Sequence, residues 1–271
     1  MKEDFGTLLN HVGKTADEIS LRGWAEANAG NLSVRIDADI FPQKSPANHR
    51  WQDIGSALPD IAGDFFLVSA AGAYLKNFQQ APARCLCVIQ LDSTGSKFRV
   101  IWGCDNGGSP TSELITHLAA QSTKKMVPEG KDKVVIHCHC PNITALGCIE
   151  NLDTAALTRL LWQTHTECLI MLPDGVEFIP CLLPGSADLA QATAKAFEKR
   201  NAAFWQHHGL IAAGPSLEQT LAIIQIIEKN CGIYLQAKAA GKIINKISKQ
   251  QLLDIAEHFN LNPDKEIFSQ I

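Results

Sequence analysis

Two short segments of this 271-residue chain carry residue types that can do metal chemistry. Val134-Val135-Ile136-His137-Cys138-His139-Cys140 has the apolar, β-branched character of a strand, and His207-His208-Gly209 follows much later in the chain. Side chains of a strand alternate between its faces, so His137 and His139 share one face while Ile136, Cys138 and Cys140 share the other. Two imidazoles at that spacing can grip one ion. A third from a distant turn would complete a Zn²⁺ site of three protein ligands with an open coordination position, the arrangement of catalytic rather than structural zinc. Cys138 and Cys140 are a rival thiolate pair, but Val134 and Ile136 mark their face as core. If the second segment is extended, one of His207 and His208 can face the site, and the residues alone leave open which.

Three small-residue constellations accompany the histidines. Asn28-Ala29-Gly30-Asn31 combines a glycine that permits a tight turn with two short amides able to donate to an anion. Ser69-Ala70-Ala71-Gly72 follows an apolar run and offers backbone N–H groups. Pro110-Thr111-Ser112-Glu113-Leu114 has the signature of a helix start, with Thr111 or Ser112 as cap and Glu113 in the first turn. Ordinary turns and an ordinary cap are the bland alternatives.

Composition narrows the ligand classes. A formal net charge of −4 and a pI of about 6.1 leave no basic stripe for a nucleic-acid backbone. Any phosphate ligand is therefore small and held by amides and neutral side chains. Nine cysteines, scattered or as Cys85-x-Cys87 and Cys138-x-Cys140, do not form a disulfide framework and are expected to be mostly reduced and buried. Neither a long apolar span nor a signal-peptide profile after Met1-Lys2-Glu3-Asp4 is seen, so a cytoplasmic protein without membrane partners is expected. With 46% hydrophobic residues and no visible linker, residues 1–271 are expected to form one domain.

The elements that must position these residues alternate between helix and strand. Phe5, Leu8, Leu9, Val12, Ala16 and Ile19 predict an amphipathic helix over 4–22, stopped by Gly23. Leu32, Val34 and Ile36 predict a half-buried strand, and 37–63 reads as a polar, proline-containing loop or insertion. Further strands are expected at 65–69, 85–91, 97–102, 134–140, 167–172, 176–180, 202–206 and 209–213. Ser216-x-x-Gln219 and Ser248-x-x-Gln251 resemble capping boxes that open two C-terminal helices. In the first of these, Leu217, Leu221, Ile224, Ile227, Cys231 and Leu235 supply one apolar stripe. The fold class is α/β (α+β), with a central, largely antiparallel sheet covered by helices.

Several segments, in this order and spacing, carry a family resemblance. They are Gly30-Asn31-Leu32-Ser33, Pro110-Thr111-Ser112-Glu113-Leu114, His137-Cys138-His139, Thr166-Glu167-Cys168-Leu169, Pro173-Asp174-Gly175-Val176, Gln191-Ala192-Thr193-Ala194 and His208-Gly209. The chain resembles the class II aldolase/adducin superfamily from Trp24 to the last capping box. The stretches Thr166 to Val176 and Pro184 to Ala194 narrow the likeness to its rhamnulose-phosphate aldolases. The resemblance implies one zinc ion per subunit on His137, His139 and His208, which selects His208 over His207. It implies Glu113 as the group that moves the proton at C3 of an enediolate, and Glu167 in support at the aldehyde end. Phosphate binding carries over to Asn28, Asn31, Gly72 and Ser112. The implied reaction is retro-aldol cleavage of a small phosphorylated ketose by a homotetramer with sites near subunit boundaries. One departure is Ala71, where relatives have a serine, so a hydroxyl donor to phosphate is lost. Another sugar-phosphate aldolase, an epimerase or a dehydratase of the superfamily would keep the same residues. A zinc hydrolase would not need the phosphate loops, and a non-catalytic scaffold like the adducin head would not need the histidines or Glu113.

Overall fold

The computed structural model describes residues 4–40, 50–105, 107–127 and 130–271. Its strands are β1 (Asn31–Ile36), β2 (Gln52–Asp53), β3 (Phe65–Ser69), β4 (Leu86–Leu91), β5 (Lys97–Gly103), β6 (Val134–Cys138), β7 (Glu177–Ile179), β8 (Ala202–Trp205) and β9 (Gly209–Gly214). They form one sheet in the order β2-β5-β4-β3-β1-β6-β9-β8-β7. All neighbours pair antiparallel except β7 with β8. The helices are α1 (Phe5–Leu21), α2 (Pro82–Cys85), α3 (Leu114–Met126), α4 (Pro141–Ile149), α5 (Thr154–Thr164), α6 (Thr166–Met171), α7 (Ala187–Phe197), α8 (Leu217–Ala240), α9 (Lys249–His258) and α10 (Lys265–Ser269).

Alternation along the central strands splits the core in two. Leu32, Val34, Ile136, Cys138, Leu210 and Ala212 face α1, α4 and α8, meeting Val12, Ile19, Ile143, Leu146, Ile224 and Ile227. Val135, Ala203, Trp205, Ile211 and Ala213 face the other way, against Ala120 of α3 and Leu189 and Phe197 of α7. Burying one large apolar side chain contributes about 1.5–3 kcal/mol, whereas ordinary helix propensities differ by at most ~0.7 kcal/mol per residue. The apolar stripe of α8, rather than local preference, therefore fixes that helix on the sheet. The helix starts are fixed locally: Asp4 accepts from the Thr7 N–H, Ser216 from the Gln219 N–H, and Ser248 with Gln251 forms a reciprocal capping box. All nine cysteines are free thiols, and only Cys148 and Cys181 are exposed. Among the described residues no helix is long and apolar enough to cross a membrane.

Three expectations need correction. Residues 167–172 do not form a strand: α6 occupies Thr166–Met171, capped by the His165 side chain accepting from the Glu167 N–H. Its buried residues are the adjacent Cys168 and Leu169, not an alternating set, and a short apolar run does not by itself distinguish strand from helix. The excursion over 37–63 is not all loop. Residues 41–49 lie outside the described residues, but beyond them β2 pairs with β5, and a 3-10 turn at Pro59–Ile61 buries Ile61. Finally, α3 begins at Leu114, so Glu113 is its N-cap residue and neither Thr111 nor Ser112 holds that position.

The β8–β9 hairpin closes against the end of β6. Trp205 pairs with Gly209, the His208 N–H donates to the Trp205 carbonyl at 2.9 Å, and His207 takes a left-handed φ of 61°. A Cβ on Gly209 would lie 2.3 Å from the Cys138 carbonyl oxygen, closer than any packed pair tolerates. Gly209→Ala is accordingly expected to lower stability by about 1–3 kcal/mol or more, measured as the urea midpoint, and to reduce the metal content of the purified protein. An unchanged midpoint would show that β6 and β9 part without cost.

Candidate metal centre and active site

One end of the sheet gathers the chemistry-bearing residues. β6 lies between β1 and β9, with Asn31 opposite His137 and Cys138 opposite Leu210. His139 follows the last residue of β6, and His208 precedes the first of β9. The ring centroids of His137 and His139 are 5.2 Å apart, of His137 and His208 4.7 Å, and of His139 and His208 5.1 Å. One nitrogen from each ring can be chosen so that all three lie within 4.8 Å of one another. Trp205 floors the cluster, 4.5 Å from the His137 ring and 5.0 Å from that of His208.

Two of the imidazoles are aimed by their other nitrogen. His137 Nδ1 is 2.8 Å from the Leu210 carbonyl, which can only accept, so Nδ1 carries the proton and Nε2 presents its lone pair. That Nε2 is buried and has no hydrogen-bond partner in the protein. His139 Nδ1 sits 2.6 Å from Glu26 Oε1, a carboxylate–histidine pairing of the kind that orients metal ligands. Partial burial raises the Glu26 carboxyl, but the His139 hydrogen bond, its own backbone N–H and the charges of His139 and His208 together outweigh it and leave it below its usual range. Burial first, and then the neighbouring imidazoles, hold His137 well below the ordinary histidine range and His208 down to about 4. Neutral imidazoles with a buried, unpartnered lone pair at their focus are a donor set that fits a divalent cation.

Glu113 approaches from the other side. Its Oε2 is 3.7 Å from His137 Nε2 and its Oε1 3.5 Å from His208 Nε2. Burial pushes the carboxyl up, against the Asn31 hydrogen bond and the His139 charge, which pull it down. Asn31 Nδ2 donates to Oε2 at 2.8 Å. The loop after β3 is zipped to the segment before Glu113: Ala70 bridges Pro110, the Ala71 N–H donates to Ser109, and the Thr111 N–H to Ser69. The N-cap carboxylate is thereby delivered to the histidines.

A cavity of about 210 Å³ opens here, lined by Asn28 to Asn31, Ala70 to Gly72, Thr111 to Glu113, Pro184 and the three histidines. Asn28, Asn31, Gly72 and Ser112 thus all border one space. No lysine or arginine is among its lining residues. Gly30 holds the turn before β1 at a φ of 78°, a conformation that favours glycine. The Ala71 amide is already spent on Ser109, whereas the neighbouring Gly72 is exposed.

Three sequence-derived candidates fall elsewhere. Glu167 is exposed in the first turn of α6 and does not line the cavity. Cys138 and Cys140 lie in the core on the opposite face of β6, and burial raises the Cys140 thiol. The structure also adds residues to which the motifs gave no role: Glu26 behind His139, and His117, Ser33 and Gln121 behind Asn31. Their signal was present as periodicity. Glu113, His117 and Gln121 recur every four residues, and Asn31 and Ser33 every two, so one polar helix stripe faces one polar strand stripe.

The comparisons with known proteins agree with this arrangement. The sequence profile of the Class II Aldolase and Adducin N-terminal domain matches residues 10–235. The chain is 34% identical over 253 residues to rhamnulose-1-phosphate aldolase of Pectobacterium atrosepticum, and 35% identical over 253 residues to that of Escherichia coli O7:K1, covering 92% of both chains in each case. A sugar-phosphate aldolase from Thermotoga maritima superposes with a TM-score of 0.75 at 26% identity, over 87% of this chain and 96% of that one. A putative aldolase/epimerase/decarboxylase from Escherichia coli shares the fold, with a TM-score of 0.68 at 20% identity over 92% of this chain and 97% of that one. Profile, relatives and fold together establish that the chain belongs to the class II aldolase and adducin family, as an enzyme of the aldehyde-lyase type.

Proposed function

We propose that the chain cleaves L-rhamnulose 1-phosphate to dihydroxyacetone phosphate and L-lactaldehyde, with one Zn²⁺ held by His137, His139 and His208. The observation that carries this reading is the clustering of three imidazoles, with Glu113 beside His137 and His208, at a phosphate-sized space lined by no lysine or arginine. The whole-length likeness to rhamnulose-1-phosphate aldolases supplies the substrate. A divalent ion bound there would supply Lewis-acid stabilisation of the negative charge that develops on the ketone and C3 oxygens as the C3–C4 bond breaks.

The chain's own residues do the rest. Gly72 N–H, Asn28 and Ser112 hold the phosphate dianion by neutral donors, and Asn31 serves both the substrate and Glu113. Glu113, buried and held by the Asn31 amide, carries the proton to C3 that converts the enediolate into dihydroxyacetone phosphate. Its raised affinity for a proton suits a group that must donate one near neutral pH. The proton of the C4 hydroxyl leaves at the aldehyde end. Glu167 assists there, entering the site of an adjacent copy in a homotetramer. Its exposure on α6 and its absence from the cavity of its own chain support this trans placement, as does the exposed Leu183 beside Pro184 at the cavity rim. Nine free thiols suit the reducing cytoplasm.

The decisive assay is release of dihydroxyacetone phosphate from L-rhamnulose 1-phosphate, with and without a strong chelator, beside the fuculose and ribulose phosphates. Cleavage that the chelator abolishes and that favours the rhamnulose ester is expected. A zinc-loaded protein that cleaves no ketose 1-phosphate would refute the reading. Glu113→Gln should retain zinc while kcat falls by about 10²–10⁴-fold, and His139→Ala should lose both metal and activity. Full zinc in His139→Ala would instead point to the thiol face. For Glu167, sedimentation should report four copies and Glu167→Ala should lower kcat with zinc intact; wild-type turnover would remove it from the mechanism.

A further inference from the structure

Behind Glu113 runs a line of hydrogen bonds through Ser33, His117 and Gln121, three side chains that neither belong to the histidine cluster nor line the cavity. Gln121 Nε2 donates to the Lys133 carbonyl at 3.1 Å and to Ser33 Oγ at 3.0 Å. Ser33 Oγ is 3.0 Å from His117 Nδ1, and His117 Nε2 is 2.5 Å from Asn31 Oδ1. Asn31 Nδ2 then donates to Glu113 Oε2 at 2.8 Å. Ser33, His117 and Gln121 are each fully buried.

The polarity of this line is set at both ends. A backbone carbonyl can only accept, so the Gln121 amide nitrogen points at Lys133 and Ser33. Ser33 Oγ accepts from Gln121 and keeps its one hydroxyl proton available to donate to His117 Nδ1. An ionised carboxylate can only accept as well, so Asn31 turns its nitrogen to Glu113 and its oxygen to His117. His117 meets both demands only with the proton on Nε2. Burial keeps its imidazole neutral, with a pKa down to about 3. With the proton on Nδ1 instead, Asn31 would have to present its oxygen to the carboxylate, and two acceptors would face each other in a dry site.

We propose that His117 is a positioning residue for Glu113, acting through Asn31: its Nε2–H tautomer fixes which way the Asn31 amide faces and thereby holds the carboxylate toward the three histidines. The inference rests on the proton-transfer role assigned above to Glu113. It gives a reason for a fully buried histidine one helical turn below an active carboxylate, which is otherwise a costly residue to bury.

Two measurements test it. In the zinc-loaded enzyme, His117→Phe is expected to lower kcat by about 10–100-fold with KM and zinc content little changed. His117→Gln, which returns an amide donor near the Nε2 position, should recover most of the loss. Placed in an Asn31→Ala background, His117→Phe should have almost no further effect, because its route to Glu113 has gone. Wild-type kcat in zinc-loaded His117→Phe, or effects that simply multiply in the double variant, would overturn the proposal. Should the Phe variant not fold, long-range ¹H–¹⁵N correlations of histidine-labelled wild-type protein decide the matter. A neutral Nε2–H tautomer for His117 at pH 6 is expected, and an Nδ1–H tautomer or an imidazolium would overturn it. That spectrum is independent of turnover. A wild-type protein without aldolase activity would sink the substrate reading, while the tautomer would still decide the relay.

Discussion

The antiparallel pairing of β6 with β1 on one side and β9 on the other is the interaction on which the rest of the molecule depends. Its register sets Asn31 opposite His137 and carries Gly209 against the Cys138 carbonyl, so that His208 arrives beside the end of β6. A slip of one residue would exchange the two faces of β6. His137 would then fall among Ile143, Leu146 and Ile224, and Cys138 would face Trp205. Burial of Ile136 and Cys138 on one side and Val135 on the other forbids that slip. The core thus locates the histidines as a by-product of its own packing.

Electrostatic economy explains the composition of the site. A buried carboxylate beside His137 and His208, both held below the ordinary histidine range by burial, gains little compensating charge from them, and effective desolvation penalties of several kcal/mol per ion are typical of such positions. Asn31 returns part of that through one charge-assisted hydrogen bond, worth about 1.5–3 kcal/mol. A divalent cation at the focus of the three histidines would return the remainder, while keeping its full charge because its ligands are neutral. With no lysine or arginine on the cavity wall, an anion bound there would be met by amides and hydroxyls, and a divalent ion on the histidines would supply the strongest positive field.

The same architecture carries several chemistries, since solved structures with this fold include sugar-phosphate aldolases and a putative aldolase/epimerase/decarboxylase. Fold alone does not select among them. Under the function proposed above, selection would lie in what surrounds the three histidines: the Glu113 carboxylate with Asn31 and His117 behind it, and the alanine and glycine of the loop after β3. The Ala71 amide is consumed in zipping that loop to Ser109, so that N–H is not free to meet an anion in the cavity.

Much of this was legible in the residues themselves. The period of two in β6 separated His137 and His139 from Cys138 and Cys140, and the period of 3.6 in α1 and α8 marked their buried stripes, because those patterns are local consequences of backbone geometry. Family motifs then singled out His208 and Glu113. Local geometry failed where a segment's state was decided by what it packs on: the apolar run at 167–171 became α6, capped by His165 and seated against α8 and α9. Only the tertiary structure revealed that Glu26 stands behind His139, that His117 and Ser33 stand behind Asn31, and that Glu167 lies outside the cavity of its own chain. Those pairings join positions up to 113 residues apart. The sequence by itself determined which faces are apolar and which residues can do chemistry. Which polar side chains meet across the sheet depended on register and on the docking of α3, because a hydrogen bond is specified by position in space and not by distance along the chain.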